Sequence, residues 1–133
     1  MVQHPHLRLW EQKLKRLLDD LDEVLEDAYG HKYHLHPARR GRGATANRSH
    51  DGLFDITANF TLGLGSERGK GYVIDIRMVT LEKISEEVRT RIEELAMRHI
   101  QKKLKEFFPD RDLWIDRDGH LLKLHGDLSL GTV

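Results

Sequence analysis

Residues 53–62, LFDITANFTL, and residues 72–79, YVIDIRMV, decide how this chain folds. In the first run Phe54, Ile56, Ala58, Phe60 and Leu62 alternate with Asp55, Thr57, Asn59 and Thr61. In the second, Tyr72, Ile74, Ile76 and Met78 alternate with Val73, Asp75, Arg77 and Val79. A period of two sends successive side chains to opposite faces, so both runs read as strands with one buried face. The connection between them, GLGSERGKG, is polar and glycine-rich, which makes the pair an antiparallel hairpin. A turn centred on Glu67 predicts Asn59 opposite Asp75 and Thr57 opposite Arg77.

On both sides of this hairpin the period lengthens. Leu7, Trp10, Leu14, Leu17, Leu21, Val24 and Ala28 recur at spacings of three and four, with Leu18 and Leu25 widening the stripe. This predicts a helix over residues 6–29 with Gly30 as its C-cap. Its charges are segregated: Arg8, Lys13, Lys15 and Arg16 come first, then Asp19, Asp20, Asp22, Glu23, Glu26 and Asp27. Acids at a helix C-terminus oppose the macrodipole, so they need compensation. An antiparallel second copy would supply it, and the reading therefore allows a homodimer through residues 7–28. Packing of this helix on its own sheet is the alternative.

After the hairpin, a second helix is expected from an N-cap at Thr80 to Phe107, its stripe running through Ile84, Val88, Ile92, Leu95, His99 or Ile100, and Leu104. Pro109 and Asp110 end it. The last run, DLWIDRDGHLLKLHGDL, reads as a second hairpin with an Asp118–Gly119 type I′ turn, Leu113 and Ile115 facing Leu122 and Leu124, and Trp114 beside Lys123. The order α-β-β-α-β-β predicts an α+β, two-layer sandwich in one domain over residues 1–133, two long helices covering one face of an antiparallel sheet. Residues 1–5 and 131–133 are expected to fray.

Composition narrows the chemistry. Lysine and arginine total 22 and so do aspartate and glutamate, so any basic surface must be local rather than global. Cysteine is absent, which excludes disulfides, thiolate metal sites and a thiol nucleophile, and fits a cytoplasmic protein. MVQHPHLRLWEQK lacks the apolar run of a secretory signal, and no segment is long and apolar enough to span a bilayer. No G-x-S-x-G, Walker loop or dinucleotide fingerprint occurs, and no cofactor is implied. Asp116-Arg117-Asp118-Gly119 has its glycine too early for a calcium loop and no closing glutamate.

The segment between the first helix and the first strand, HKYHLHPARRGRGATANRSHDG at residues 31–52, is long for a connection and carries no acid before Asp51. Loops of this length are functional or disordered in small domains. Arg39, Arg40, Arg42 and Arg48, with Asn47 and His50, combine guanidinium donors with glycines that let backbone N–H groups approach an anion. Arg68 and Lys70 in the hairpin connection add charge. The expected function is a non-catalytic binding protein for a phosphorylated ligand, RNA being favoured over a nucleotide or other phosphorylated small molecule. Against this, the acids closing the first helix compete for the same arginines.

Two other readings are open. His34, His36, His50 and Asp51 offer imidazole and carboxylate ligands for a metal-dependent hydrolase. The order Asp55, then Asp75-Ile76-Arg77, then a helix is similar in outline to the PD-(D/E)xK nuclease pattern. Arginine stands where that pattern has lysine, however, and the expected register sets Asp55 and Asp75 roughly 13 Å apart, too far to share a metal. The other reading is a protein-interaction module acting through the first helix.

Overall fold

A computed structural model describes residues 5–62 and 69–128. Helix α1 spans Pro5–Tyr29 and is followed by the long loop, which contains one 3-10 turn at Arg48–His50. Strands β1 (Phe54–Thr61) and β2 (Gly71–Met78), helix α2 (Glu86–Phe107), and strands β3 (Leu113–Asp118) and β4 (Leu121–Gly126) complete the α+β order α-β-β-α-β-β. The four strands form one antiparallel sheet in the order β1-β2-β4-β3, so β1 and β3 are its edges.

Both helices lie on the same face. Leu14, Leu17, Leu21 and Leu25 of α1 and Ile92, Ala96, Ile100 and Leu104 of α2 are buried with Phe54, Ile56, Ile74, Ile115, Leu122 and Leu124 of the sheet. Trp10 closes the far end against Phe108 and Tyr72, with ring centroids 4.3 and 5.8 Å away. Burial of this apolar surface is the main favourable term in folding. The opposite sheet face is uncovered by helix and carries Trp114, Asp75 and Arg77 exposed. No helix among the described residues is long and apolar enough to cross a membrane.

Three local expectations are corrected. The first hairpin pairs Asn59 with Val73, Thr57 with Asp75 and Asp55 with Arg77, two residues from the expected register. Asp55 and Asp75 are therefore diagonal neighbours rather than four residues apart, and Asp55 Oδ2 accepts from Arg77 Nη2 at 3.0 Å. The second hairpin slips by the same amount: Ile115 pairs with Leu124, Leu113 with Gly126, and Trp114 with His125 rather than Lys123. Its turn centres on Gly119, with φ 64°, and His120, placing glycine first as II′ turns require. A slip of two residues keeps every side chain on its own face, so hydrophobic alternation cannot discriminate between the registers.

The third correction concerns α2, which starts at Glu86 rather than after Thr80. Ser85 is the N-cap and accepts from the Val88 N–H at 3.2 Å. The Thr80 hydroxyl is engaged elsewhere: it donates to the His34 carbonyl at 2.5 Å and accepts from the Glu82 N–H at 3.1 Å. It ties the long loop to the chain that leaves β2.

Candidate functional site

The loop after α1 is held by its own polar groups. The His36 N–H donates to the Val79 carbonyl at 2.9 Å, and the His34 N–H to Glu82 Oε2 at 2.5 Å. Gly52 N–H donates to the Arg40 carbonyl at 2.9 Å, part of an isolated bridge between Arg40 and Asp51. Arg39 binds this structure together. Its Nε donates to the Gly52 carbonyl at 3.0 Å and its Nη2 to the carbonyls of Ser49, Asp51 and Phe54 at 2.7, 3.0 and 3.1 Å. Asn47 caps the 3-10 turn, its Oδ1 accepting from the Ser49 N–H at 3.0 Å.

The acids of α1 receive the remaining arginines. Arg42 Nη1 lies 2.9 Å from Asp27 Oδ1, and Arg48 Nη1 lies 3.7 Å from Glu23 Oε2. The hydrogen bond to Asp27 holds the Arg42 guanidinium above its ordinary pKa. Asp19 pairs with Lys15 at 3.0 Å, and Asp20 meets His99 Nε2 of α2 at 2.7 Å. Asp19, Asp20, Glu23 and Asp27 at the acidic end of α1 are thus compensated within the chain.

Beneath the loop three carboxylates are buried. Glu26 Oε1 accepts from the Phe54 N–H at 2.9 Å, its side chain lying against Gly52, which has φ 72°. Asp51 Oδ2 accepts from both the N–H and the hydroxyl of Thr45 at 2.9 Å. Burial raises the Asp51 pKa, but these hydrogen bonds, one from Gly43 and the Arg39 charge outweigh it and leave the carboxyl below its ordinary value. Asp22 differs: its Oδ2 is buried without a hydrogen-bond partner among the described residues. Burial first, then the Glu26 charge, pushes its pKa up to about 7, with Arg48 opposing.

The sequence-predicted site residues therefore have unlike fates. Arg39, Arg42, Arg48 and Asn47 are engaged within the chain, Arg40, His50 and Lys70 are exposed, and Arg68 lies outside the described residues. The metal set is not assembled. His36 Nδ1 accepts from the Ala38 N–H at 3.1 Å, His34 faces Glu82, and no group of three His, Asp or Glu among the described residues could hold a metal ion.

A feature that sequence patterning does not mark lies beside the loop. Phe54 directs its N–H to Glu26 and its C=O to Arg39, both away from β2. Antiparallel pairing repeats this orientation at every second residue, so Ile56, Ala58 and Phe60 also turn their backbone groups outward. Among the described residues none takes them. They border a cleft of about 490 Å3 between α1 and β1, walled by Leu14, Lys15 and Leu18 and closed at one end by Asn47 and Ser49. Beyond Phe60 it meets a second cleft of about 590 Å3, lined by Leu7, Trp10, Lys70 and Tyr72. Asn47 and Ser49 of the long loop thus stand at one end of this groove and Lys70 at the other. Phe60 is half exposed within it, its ring 5.5 Å from that of Tyr72.

The other sheet edge is capped at its start. Gln101 of α2 donates from Nε2 to the Leu113 carbonyl at 3.4 Å and accepts at Oε1 from the Ile115 N–H at 3.1 Å, so one amide stands in for a neighbouring strand. On the uncovered face His125 Nε2 lies 2.5 Å from Asp116 Oδ2, and Lys123 donates to the Gly69 carbonyl.

No solved structure matches the chain. A protein of Borreliella burgdorferi described as an uncharacterized protein is 38% identical over 117 residues, covering 88% of this chain and 91% of that protein. A family model described as an uncharacterised protein matches residues 5–126, which takes in α1, the loop and all four strands. The chain belongs to this family of uncharacterised proteins.

Proposed function

We propose that this chain is a non-catalytic protein-interaction module whose ligand is an extended peptide segment, added as a fifth strand along β1. The observation that carries this reading is the run of outward backbone donors and acceptors at Ile56, Ala58 and Phe60 beside the apolar cleft. Strand addition draws affinity from main-chain hydrogen bonds and specificity from pockets for alternate side chains. Here the bonds would come from β1 and the pockets from Leu14, Leu18 and Tyr72. Native edge strands are commonly blunted by proline, lysine or a bulge. FDITANFT has none of these, and its eight residues pair with β2 without a break.

The test uses backbone amide NMR with a synthetic Val-Thr-Val-Thr-Val peptide, blocked at both ends. Strand addition predicts shift changes at Ile56, Ala58 and Phe60, lost in Ala58→Pro. That substitution removes one outward N–H and no bond to β2, a placement edge strands tolerate. Absence of any change at these amides overturns the reading.

The phosphate reading keeps one supporting observation: Arg40 and Lys70 are exposed and make no ion pair among the described residues. It requires Arg42 and Arg48 to leave Asp27 and Glu23. RNA affinity that falls steeply with salt, and is lost in Arg40→Ala with Lys70→Ala, would favour it.

A further inference from the structure

Charge around the groove narrows the class of partner. Arg8, Glu11, Gln12, Lys15 and Arg16 line a depression on the outer surface of α1 that shares Glu11 and Lys15 with the groove, and Lys70 lines the far cleft. Arg8 and Arg16 are exposed and make no ion pair among the described residues, whereas Lys15 is shared between Asp19 and Asn47 at 3.0 and 3.5 Å. Among the described residues Lys15, Lys70 and Glu11 line the groove itself, and Arg8 and Arg16 lie on the adjoining outer surface of α1. Of the acids of α1, Asp19 pairs with Lys15 at the loop end of the groove, and Glu23 and Asp27 lie beside the loop, paired with Arg48 and Arg42.

From this we infer that the partner is an acidic segment: a short apolar, β-prone stretch flanked by glutamates or aspartates, which lies along β1 under the basic rim of α1. The inference rests on the strand-addition reading and adds its electrostatics. Side chains of the added strand that point to the helix side meet Leu14, Leu18 and Phe60, so this set is apolar at the centre. Side chains on the other face come beside Thr57 and Asn59, where threonine or serine pairs well. The flanking carboxylates reach Arg8, Arg16 and Lys70. Complementary charge of this kind sets association rate and partner choice more than it sets raw affinity.

A second copy of this chain fits the groove less well. Antiparallel pairing of β1 with its own copy about Ala58 would bring the two α1 helices together near Leu14, because Leu14, Lys15 and Leu18 border the same stretch of groove as Ile56–Phe60. Lys15 and Arg16 would then face their own copies across the two-fold axis, and like charges in such a contact are unfavourable.

The experiment compares three nine-residue peptides with one Val-Thr-Val-Thr-Val centre, flanked on each side by two glutamates, two lysines or two serines. Binding is read from the amides of Ile56, Ala58 and Phe60 at low and high salt. The expected result is affinity in the order glutamate, serine, lysine, with steps of about tenfold at low salt that shrink as salt screens the rim. The surface variant Arg8→Glu with Arg16→Glu, which touches no buried group, should reverse the order. If the serine peptide binds and the glutamate peptide binds no better, the charge inference is overturned while strand addition stands. If none of the three binds, strand addition itself fails. A wild-type dimer at NMR concentration that Ala58→Pro dissociates would assign the groove to a second copy and overturn the inference as well.

Discussion

The two edges of the sheet have been finished differently. At β3 a single side chain, Gln101, donates to the Leu113 carbonyl and accepts from the Ile115 N–H, while the Ile115 carbonyl and the backbone groups of Arg117 also point outward by the same alternation. At β1 the finish stops partway: Glu26 and Arg39 complete Phe54, and from Ile56 onward no described residue continues the work. An edge left open by indifferent packing would be open along its whole length. This one is sealed by a buried carboxylate and a guanidinium with four carbonyl partners, then left bare where an apolar cleft runs alongside it. A strand end can thus be capped with very few atoms, and the chain caps each edge only in part.

That comparison can be broken or sharpened by substitution. The largest effect is expected at the sealed end of β1. Arg39→Ala leaves four carbonyls without a charged donor, and urea unfolding should show a loss of about 3 kcal/mol. A loss below about 0.5 kcal/mol, the level of a surface substitution, would mean that Arg39 does not hold the seal.

Next is the pH dependence contributed by Asp22, under the same seal. Its folded pKa of about 7 lies above the unfolded value of 3.8. The stability associated with the protonated form is therefore fully present below pH 3.8 and is lost as pH rises through 7. Asp22→Asn should flatten this part of the profile and leave the protein about 2 kcal/mol more stable than wild type at about pH 8. An unchanged slope between about pH 5 and pH 8 would assign the titration to another group.

At the opposite edge, Gln101→Ala removes both edge bonds of β3. A loss of about 1–2 kcal/mol is expected, with concentration-dependent association of the exposed edge in sedimentation. Monomeric behaviour identical to wild type would show that the amide is not what guards β3. The smallest effect belongs to the loop's surface ion pairs: Arg42→Ala and Arg48→Ala should each change stability by no more than about 0.5 kcal/mol, because exposed pairs contribute little. A loss several times larger would make the strap onto α1, rather than Arg39, the element that closes the end of β1.

The elements and the buried face of each are legible because hydrophobic period maps directly onto helix and strand. Register is not. Moving Thr57 from Arg77 to Asp75 leaves Ile56 and Ala58 on the same face, and the GLGSERGKG connection has no short turn to fix the count. The start of α2 is ambiguous in the sequence because Thr80 and Ser85 are both good caps, and only the position of the His34 carbonyl decides between them. For the long loop, sequence exposes the contest between its arginines and the acids of α1 but not the outcome, which depends on how the loop returns across the helix. The groove is the least legible feature. Phe60 and Ile56 occupy equivalent positions in the alternation, yet one is half exposed and the other buried, because α1 covers only part of β1.

The lodging of Glu26 against Gly52 also bears on how this family can change. A Cβ at residue 52 would sit 2.5 Å from Glu26 Oε1, and its three nearest neighbours all belong to that one side chain. The acceptability of a side chain at position 52 is therefore conditional on what occupies position 26. With Glu26 shortened, only the left-handed backbone of residue 52 would still resist alanine; with Glu26 intact, alanine collides as well. Loss of the glutamate in turn leaves the buried Phe54 N–H without its acceptor, so neither position changes freely alone. Residues 26 and 52, on a helix and in a distant loop, are sterically coupled: what one position can hold depends on the other.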